Sequence, residues 1–244
     1  MQAILDGRDS PVDSSIAVYG PGRESGDFLG RLRKLLAKYD AERSLAWVVG
    51  RSTAMDRDYR EAAAKSDFDH LTGAVGLPVS DFNELRAVTA DAHCGPEGKT
   101  DQDVPPISIL RPDGSMPAIS AGDAFIDLNF RSDRQRSKIA ALAGARKFLA
   151  AEGALRGRNW DGEWIDHGLD IDICGIAEYH PIFEIEHGVS VAFTQQPHAD
   201  NFLAQWPETA GTDEYTLVAE SVKASHMGYF FRGRREEPVP GANE

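Results

Sequence analysis

The chain has 244 residues, 41% of them hydrophobic and 27% charged, with a formal net charge of −13 at pH 7. Such a length supports one large domain or two small ones with an ample core, in proportions ordinary for a soluble globular protein. The acidic balance argues against a nucleic-acid partner, which needs a basic face, and no run approaches the length of a membrane span.

In chain order, residues 2–6 read as a strand, and Pro11 bars its continuation. Phe28, Leu29, Leu32, Leu35 and Leu36 share one face of a helix from Asp27 to Tyr39. Residues 44–49 read as a buried strand, and Asp58 to His70 as an alanine-rich helix. Ile107 to Leu110 is a strand, with Asp113-Gly114 as a turn signal. Residues 123–129 form the next strand, and Ser137 to Ala151 a helix of strong formers. The polar, tryptophan-bearing stretch from Gly157 to Gly168 reads as loop. Ile171 to Ala177, Val189 to Phe193, Tyr215 to Ala219 and Gly228 to Phe231 are further strands. Strand alternating with helix predicts an α/β fold, three-layer α/β/α with a mostly parallel (mixed) sheet.

Three polar strings stand where apolar runs stop. They are Asp6-Gly7-Arg8-Asp9, Gly50-Arg51 followed after five residues by Arg57-Asp58, and Asn129 to Arg134 with arginines at 131 and 134. Each precedes a segment able to start a helix. A strand that ends in an arginine before a helix points it out of the carboxyl edge of the sheet, where open α/β sheets bind ligands. Five arginines around one crevice make an anion site, most plausibly for phosphate, and arginine suits it because its planar fork never loses charge. The surplus carboxylates elsewhere make that local cluster more telling.

These strings resemble the signatures of the cofactor-independent phosphoglycerate mutases. Ile4-Leu5-Asp6-Gly7-Arg8-Asp9-Ser10-Pro11 resembles their LDGRD motif, and Gly50 to Asp58 resembles their arginine loop, with Ser52 where the pattern has an aromatic residue. Asp123 to Ile126 with Asn129 to Arg134 resembles their third motif. Glu220 to His226, Phe230 to Gly233 and Glu237 to Gly241 resemble a later one. Order and spacing agree across nearly the whole chain.

The resemblance implies an isomerase that interconverts 3-phosphoglycerate and 2-phosphoglycerate through a phosphoserine, in glycolysis and gluconeogenesis. Such enzymes join a phosphatase-like domain, with a serine nucleophile and two manganese ions, to an inserted substrate-binding domain. The motifs here belong to the inserted domain. Residues 1–195 are therefore expected to form it, truncated at its start, and 196–244 to form a linker and the first elements of the returning phosphatase-like domain. No cofactor is expected in this chain, and the manganese ions belong to the missing domain. By resemblance, Arg8, Asp9, Arg51, Arg57, Arg131 and Arg134 bind substrate, Asp9 acts as general acid/base, and Lys223 stabilises the transferring phosphoryl group. Asp56 and Asp133 orient neighbouring arginines. The chain alone is expected to be inactive.

Other clusters carry less. His180 and His187 with Glu184 and Glu186 suggest a metal, but strand-like alternation around them favours surface residues on an edge. His167 with Asp170, Asp172 and Cys174 reads as a partly buried strand, and Cys94 lacks the partners of a catalytic thiol. The two cysteines, Cys94 and Cys174, form no disulfide framework and suit a reducing cytoplasm, and the start lacks a basic-then-apolar signal sequence. Two functional classes remain: the substrate-binding half of a mutase, or a non-catalytic binding module for a phosphorylated sugar acid. Expected partners are a small-molecule substrate and either a companion phosphatase-like domain or a second copy joined through the C-terminal segment, whose apolar strands lack sheet partners. Neither nucleic acid nor a membrane is expected.

Overall fold

Leu29, Leu32 and Leu36 face one cluster of apolar side chains, which makes α1 (Phe28–Lys38) an amphipathic helix with the face that the leucine spacing predicts. The computed structural model describes residues 28–39, 45–93, 103–162, 164–165, 169–194, 215–216, 218–220, 227 and 242–243. Arg8, Asp9 and Lys223 lie outside the described residues, as do the strands expected at 2–6 and at Gly228 to Phe231.

All five residues from Leu45 to Val49 are buried, as a continuous apolar run inside a sheet requires. Within that run β1 (Trp47–Val48) pairs antiparallel with β3 (Ile107–Ile109), and β3 takes β2 (Leu77–Val79) in parallel on its other side. A second sheet orders β4 (Ala124–Asp127), β5 (Asp172–Ala177) and β6 (Ser190–Phe193), all parallel. The α/β class holds. Where one sheet is expected, the described residues of 1–194 form two three-stranded ones, the first mixed and the second parallel.

The helices between these strands are α2 (Arg51–Ala54), α3 (Glu61–Leu71), α4 (Phe82–His93), α5 (Ser132–Leu142), α6 (Arg146–Leu155) and α7 (Pro181–His187). Several depart from expectation for local reasons. The segment expected as one helix from Ser137 to Ala151 is two, α5 and α6, broken at Gly144, whose φ of +73° belongs to the left-handed region. Residues 181–187 are helical rather than strand-like: Pro181 stands in the first turn, the His180 ring accepts from the Ile182 N–H as N-cap, and Gly188 closes the end at φ +67°. The strand expected over 123–129 stops at Asp127, and the one from Tyr215 covers Tyr215–Thr216.

Trp47 and Tyr59 join Phe125, Ile139, Phe148, Ile173 and Phe183 in the main core cluster. Residues Met1–Thr194 and Gln195–Glu244 form two compact units. In the second, β7 (Tyr215–Thr216) pairs in parallel with β8 (Ala242–Asn243). Among the described residues no helix is long and apolar enough to cross a membrane.

Candidate functional site

The first arginine loop begins where the buried run ends. Gly50 is extended, caps α2, and anchors its N–H to the Val104 carbonyl at 2.8 Å. One short turn carries Arg51 and Ser52, and Met55 ends it. Asp56, 5% exposed, accepts from both the backbone N–H (2.7 Å) and Nε (3.0 Å) of Arg60, while Arg60 Nη2 donates to the Ser52 carbonyl at 2.6 Å. The loop is thus closed on itself by an arginine clasped at both ends.

Between Asp58 and Arg60 the chain turns through Tyr59 at φ +51°, the sole positive φ outside glycine among the described residues. Residues about a hundred positions later hold that conformation. Trp160 Nε1 donates to the Tyr59 carbonyl and Arg158 Nε to the Asp58 carbonyl, both at 2.7 Å. The Tyr59 ring is buried beneath the Arg156 guanidinium, 4.4 Å from its centroid, and burial pushes its hydroxyl up to about 12. This is why α3 starts at Glu61 and not at Asp58. Glu61 then accepts from the N–H groups of Asp161 (2.9 Å) and Gly162 (2.6 Å) and from Trp164 Nε1 (3.0 Å). Desolvation pushes its carboxyl up, but these three donors together hold it below the ordinary range.

The second loop hangs from β4. The Asn129 N–H donates to Asp127 Oδ1 at 2.8 Å, the Arg131 N–H donates to Asn129 Oδ1 at 3.0 Å, and the Tyr179 hydroxyl donates to the Asn129 carbonyl at 2.8 Å. Arg131 and Asp133 form a two-point pair at 3.3 and 3.0 Å. Arg134, in the first turn of α5, points back to the first loop, where its Nη1 donates to the Met55 carbonyl at 3.1 Å. Asn129 Nδ2 reaches Met55 Sδ at 3.6 Å.

Where the loops meet lies a cavity of about 220 Å³, lined by Arg51, Ser52, Met55, Asp56, Arg57, Asp58, Arg60 and Arg134. Four guanidiniums stand there against two carboxylates. Asp56 is spent on Arg60, and the Asp58 carboxylate is 4.0 Å from Arg57 Nε. Burial pulls the Arg134 guanidinium below its usual range, and the nearby charges of Arg57, Arg131 and Arg51 add to that, with Asp133 opposing them. Such a cluster is stabilised by an anion that enters it.

Of the arginines singled out in the sequence, Arg51, Arg57 and Arg134 share the cavity, and Arg131 is outside its lining, paired with Asp133. Asp56 orients Arg60 rather than Arg57. Arg60 and Ser52 were not singled out; the four-residue spacing from Asp56 to Arg60 is the signal that marks the first. His180 is a cap whose ring packs on Phe148 at 4.9 Å and Phe183 at 5.8 Å. Among the described residues no three His, Cys, Asp or Glu side chains gather as a metal site.

Comparisons with known proteins identify relatives of the chain. The family model described as BPG-independent PGAM N-terminus matches residues 1–179. The 2,3-bisphosphoglycerate-independent phosphoglycerate mutase of Thermomicrobium roseum is 32% identical over 99% of this chain and 40% of its own length. Those of Cereibacter sphaeroides, at 30%, and Clostridium acetobutylicum, at 29%, align over 99% and 98% of the chain. The chain thus spans about 40% of the length of these curated relatives. A crystal structure of Leishmania mexicana phosphoglycerate mutase at low cobalt concentration shares the fold, with a TM-score of 0.60 over 90% of this chain and 38% of that one, at 16% identity.

Proposed function

The chain belongs to the BPG-independent phosphoglycerate mutase family, and from that membership we propose that it is the substrate-binding half of such an enzyme, interconverting 3-phosphoglycerate and 2-phosphoglycerate. The observation that carries this reading is the convergence of Arg51, Arg57 and Arg134, from two loops far apart in sequence, on one cavity.

In this reading the guanidiniums hold a small trianion while its phosphate leaves and returns to a different hydroxyl. Phosphoryl transfer leaves the protein mainly positioning and charge stabilisation to supply. Arg60 and the Arg134–Met55 bond keep the two loops in register without touching substrate through every donor they carry. Arg131, paired with Asp133, adds positive potential at Arg134. Arg8 completes the set, Asp9 moves protons to and from the glycerate hydroxyls, and Lys223 meets the transferring phosphoryl group. By the family resemblance, the manganese ions of this chemistry belong to the phosphatase-like part.

The test is titration of 3-phosphoglycerate at low salt, followed by amide chemical shifts. Saturable shifts at Arg51, Arg57 and Arg134 are expected, with affinity on the order of −4 to −5 kcal/mol, high micromolar to millimolar. Shifts confined to other surfaces, or none, overturn the reading.

A further inference from the structure

Beneath the crevice lies a set of buried charges that anion binding leaves unused. Lys138 on α5 is 5% exposed, and its Nζ lies 3.6 Å from Oδ2 of Asp67 on α3, itself 3% exposed. Asp127, at the end of β4, is also buried and feels the same lysine. Oδ1 of Asp67 and Oδ2 of Asp127 have no hydrogen-bond partner among the described residues. As a source of stability this arrangement is poor. A buried pair at that separation, with orphaned oxygens, contributes little beyond what apolar side chains of similar volume would.

Its position is what sets it apart. Helix α3 starts at the end of the first arginine loop, and α5 starts at the end of the second. The two helices pack against each other. Lys138 lies one turn after Arg134 on the same face of α5. The other oxygen of Asp127 accepts from the Asn129 N–H, and Asn129 in turn fixes the Arg131 N–H. One buried cation therefore faces a carboxylate on the helix behind the first loop and a carboxylate at the root of the second. Burial raises both carboxyls and the lysine opposes that rise in each case.

We propose that Lys138 and Asp67 are positioning residues that fix the separation of the two arginine loops, and through it the span of the anion the crevice accepts. The proposal rests on the phosphoglycerate reading for its ligand alone; the loop separation is a property of the chain.

The test uses the full chain with Cys94→Ala and Cys174→Ala, and nitroxide labels at Asp58→Cys and Phe130→Cys, both exposed positions in the two loops. Distances between the labels are read by pulsed electron paramagnetic resonance without ligand. The double variants Asp67→Leu/Lys138→Met and Asp67→Asn/Lys138→Gln remove the pair without leaving a lone buried charge. At least one of them is expected to melt at or above the parent temperature while its distance distribution shifts or broadens, and the same double variant without labels is expected to bind 3-phosphoglycerate roughly tenfold more weakly than the unlabelled parent. A distribution identical to the parent's overturns the proposal. So does unfolding of both double variants, which makes the pair an element of stability. If the distribution responds but the unlabelled parent binds no 3-phosphoglycerate, the phosphoglycerate reading falls and the positioning role stands.

Discussion

Arg134 donates to the Met55 carbonyl across 79 residues of sequence and lines the same cavity as that residue, so one guanidinium both joins two loops and faces the cavity. Arg51 lines the cavity without an ion pair to any described residue. The two substitutions should therefore separate. Arg51→Ala is expected to weaken 3-phosphoglycerate binding by about 1.5–3 kcal/mol, with the melting temperature unchanged or slightly raised because one like charge is gone. Arg134→Ala is expected to weaken binding similarly and also to destabilise the fold by about 1–3 kcal/mol, since a partly buried carbonyl loses its donor. Thermal melts and titrations of both variants check this; equal melting temperatures would contradict it.

Gly153→Ala on α6 tests the support of the first loop. Helix propensity alone favours the alanine by about 1 kcal/mol. A Cβ at that position, however, collides with the Trp160 indole, the group that donates to the Tyr59 carbonyl. Net destabilisation and weaker anion binding are expected, read by denaturant unfolding and by titration. A stabilised Gly153→Ala variant would show that Trp160 moves aside without consequence.

His70 sets an acid limit. It is fully buried, its neutral ring donates from Nε2 to the Ile107 carbonyl at 3.1 Å, and burial pushes its pKa down to about 4. The unfolded chain, with an ordinary histidine, takes up this proton first as pH falls. The stability linked to it is therefore complete above about pH 6.5 and lost toward pH 4, at about 1.4 kcal/mol per pH unit. Asp67 and Asp127, whose carboxyls are raised mainly by burial, act with the opposite sign and offset part of the loss. Denaturant midpoints between pH 4.5 and 7 should flatten in His70→Gln; an unchanged slope would place the acid sensitivity elsewhere.

Asp9→Asn is expected to leave 3-phosphoglycerate binding intact or tighter, because a carboxylate beside an anion repels it and the proposed task of Asp9 is proton transfer. Calorimetric titration of the variant checks this. A clear loss of affinity would make Asp9 a structural partner of the arginines.

Periodicity made much of the fold legible. The leucines of α1, the buried run ending at Val49 and the apolar segments of β3 to β6 all appear where their spacing puts them. Two pieces escaped: β2 is three residues with Pro78 in the middle, and α4 packs through Phe82, Leu85 and Val88 among otherwise polar residues and alanines. At the site, the loop positions of Arg51, Arg57 and Arg134 followed from the ends of strands, but their partners did not. Nothing local in Trp160 or Arg158 announces a bond to residues 59 and 58, and Asp67 in an alanine-rich helix reads as solvated until α5 brings Lys138 against it. Long-range hydrogen bonds leave no period in a sequence.

The left-handed turn at Tyr59 has a consequence for how the crevice comes into being. Its two carbonyl anchors arrive from Arg158 and Trp160, a hundred residues further along. During synthesis the first arginine motif leaves the ribosome long before those donors exist, and closing so large a loop carries an entropic cost that must be met before the turn is held. The crevice therefore cannot take its full shape before residues 158 to 160 have been made. A peptide cut from Gly50 to Arg60, or the same eleven residues grafted onto another scaffold, would carry every charge of the motif and the partners of its Arg60 clasp, but neither anchor of the Tyr59 turn.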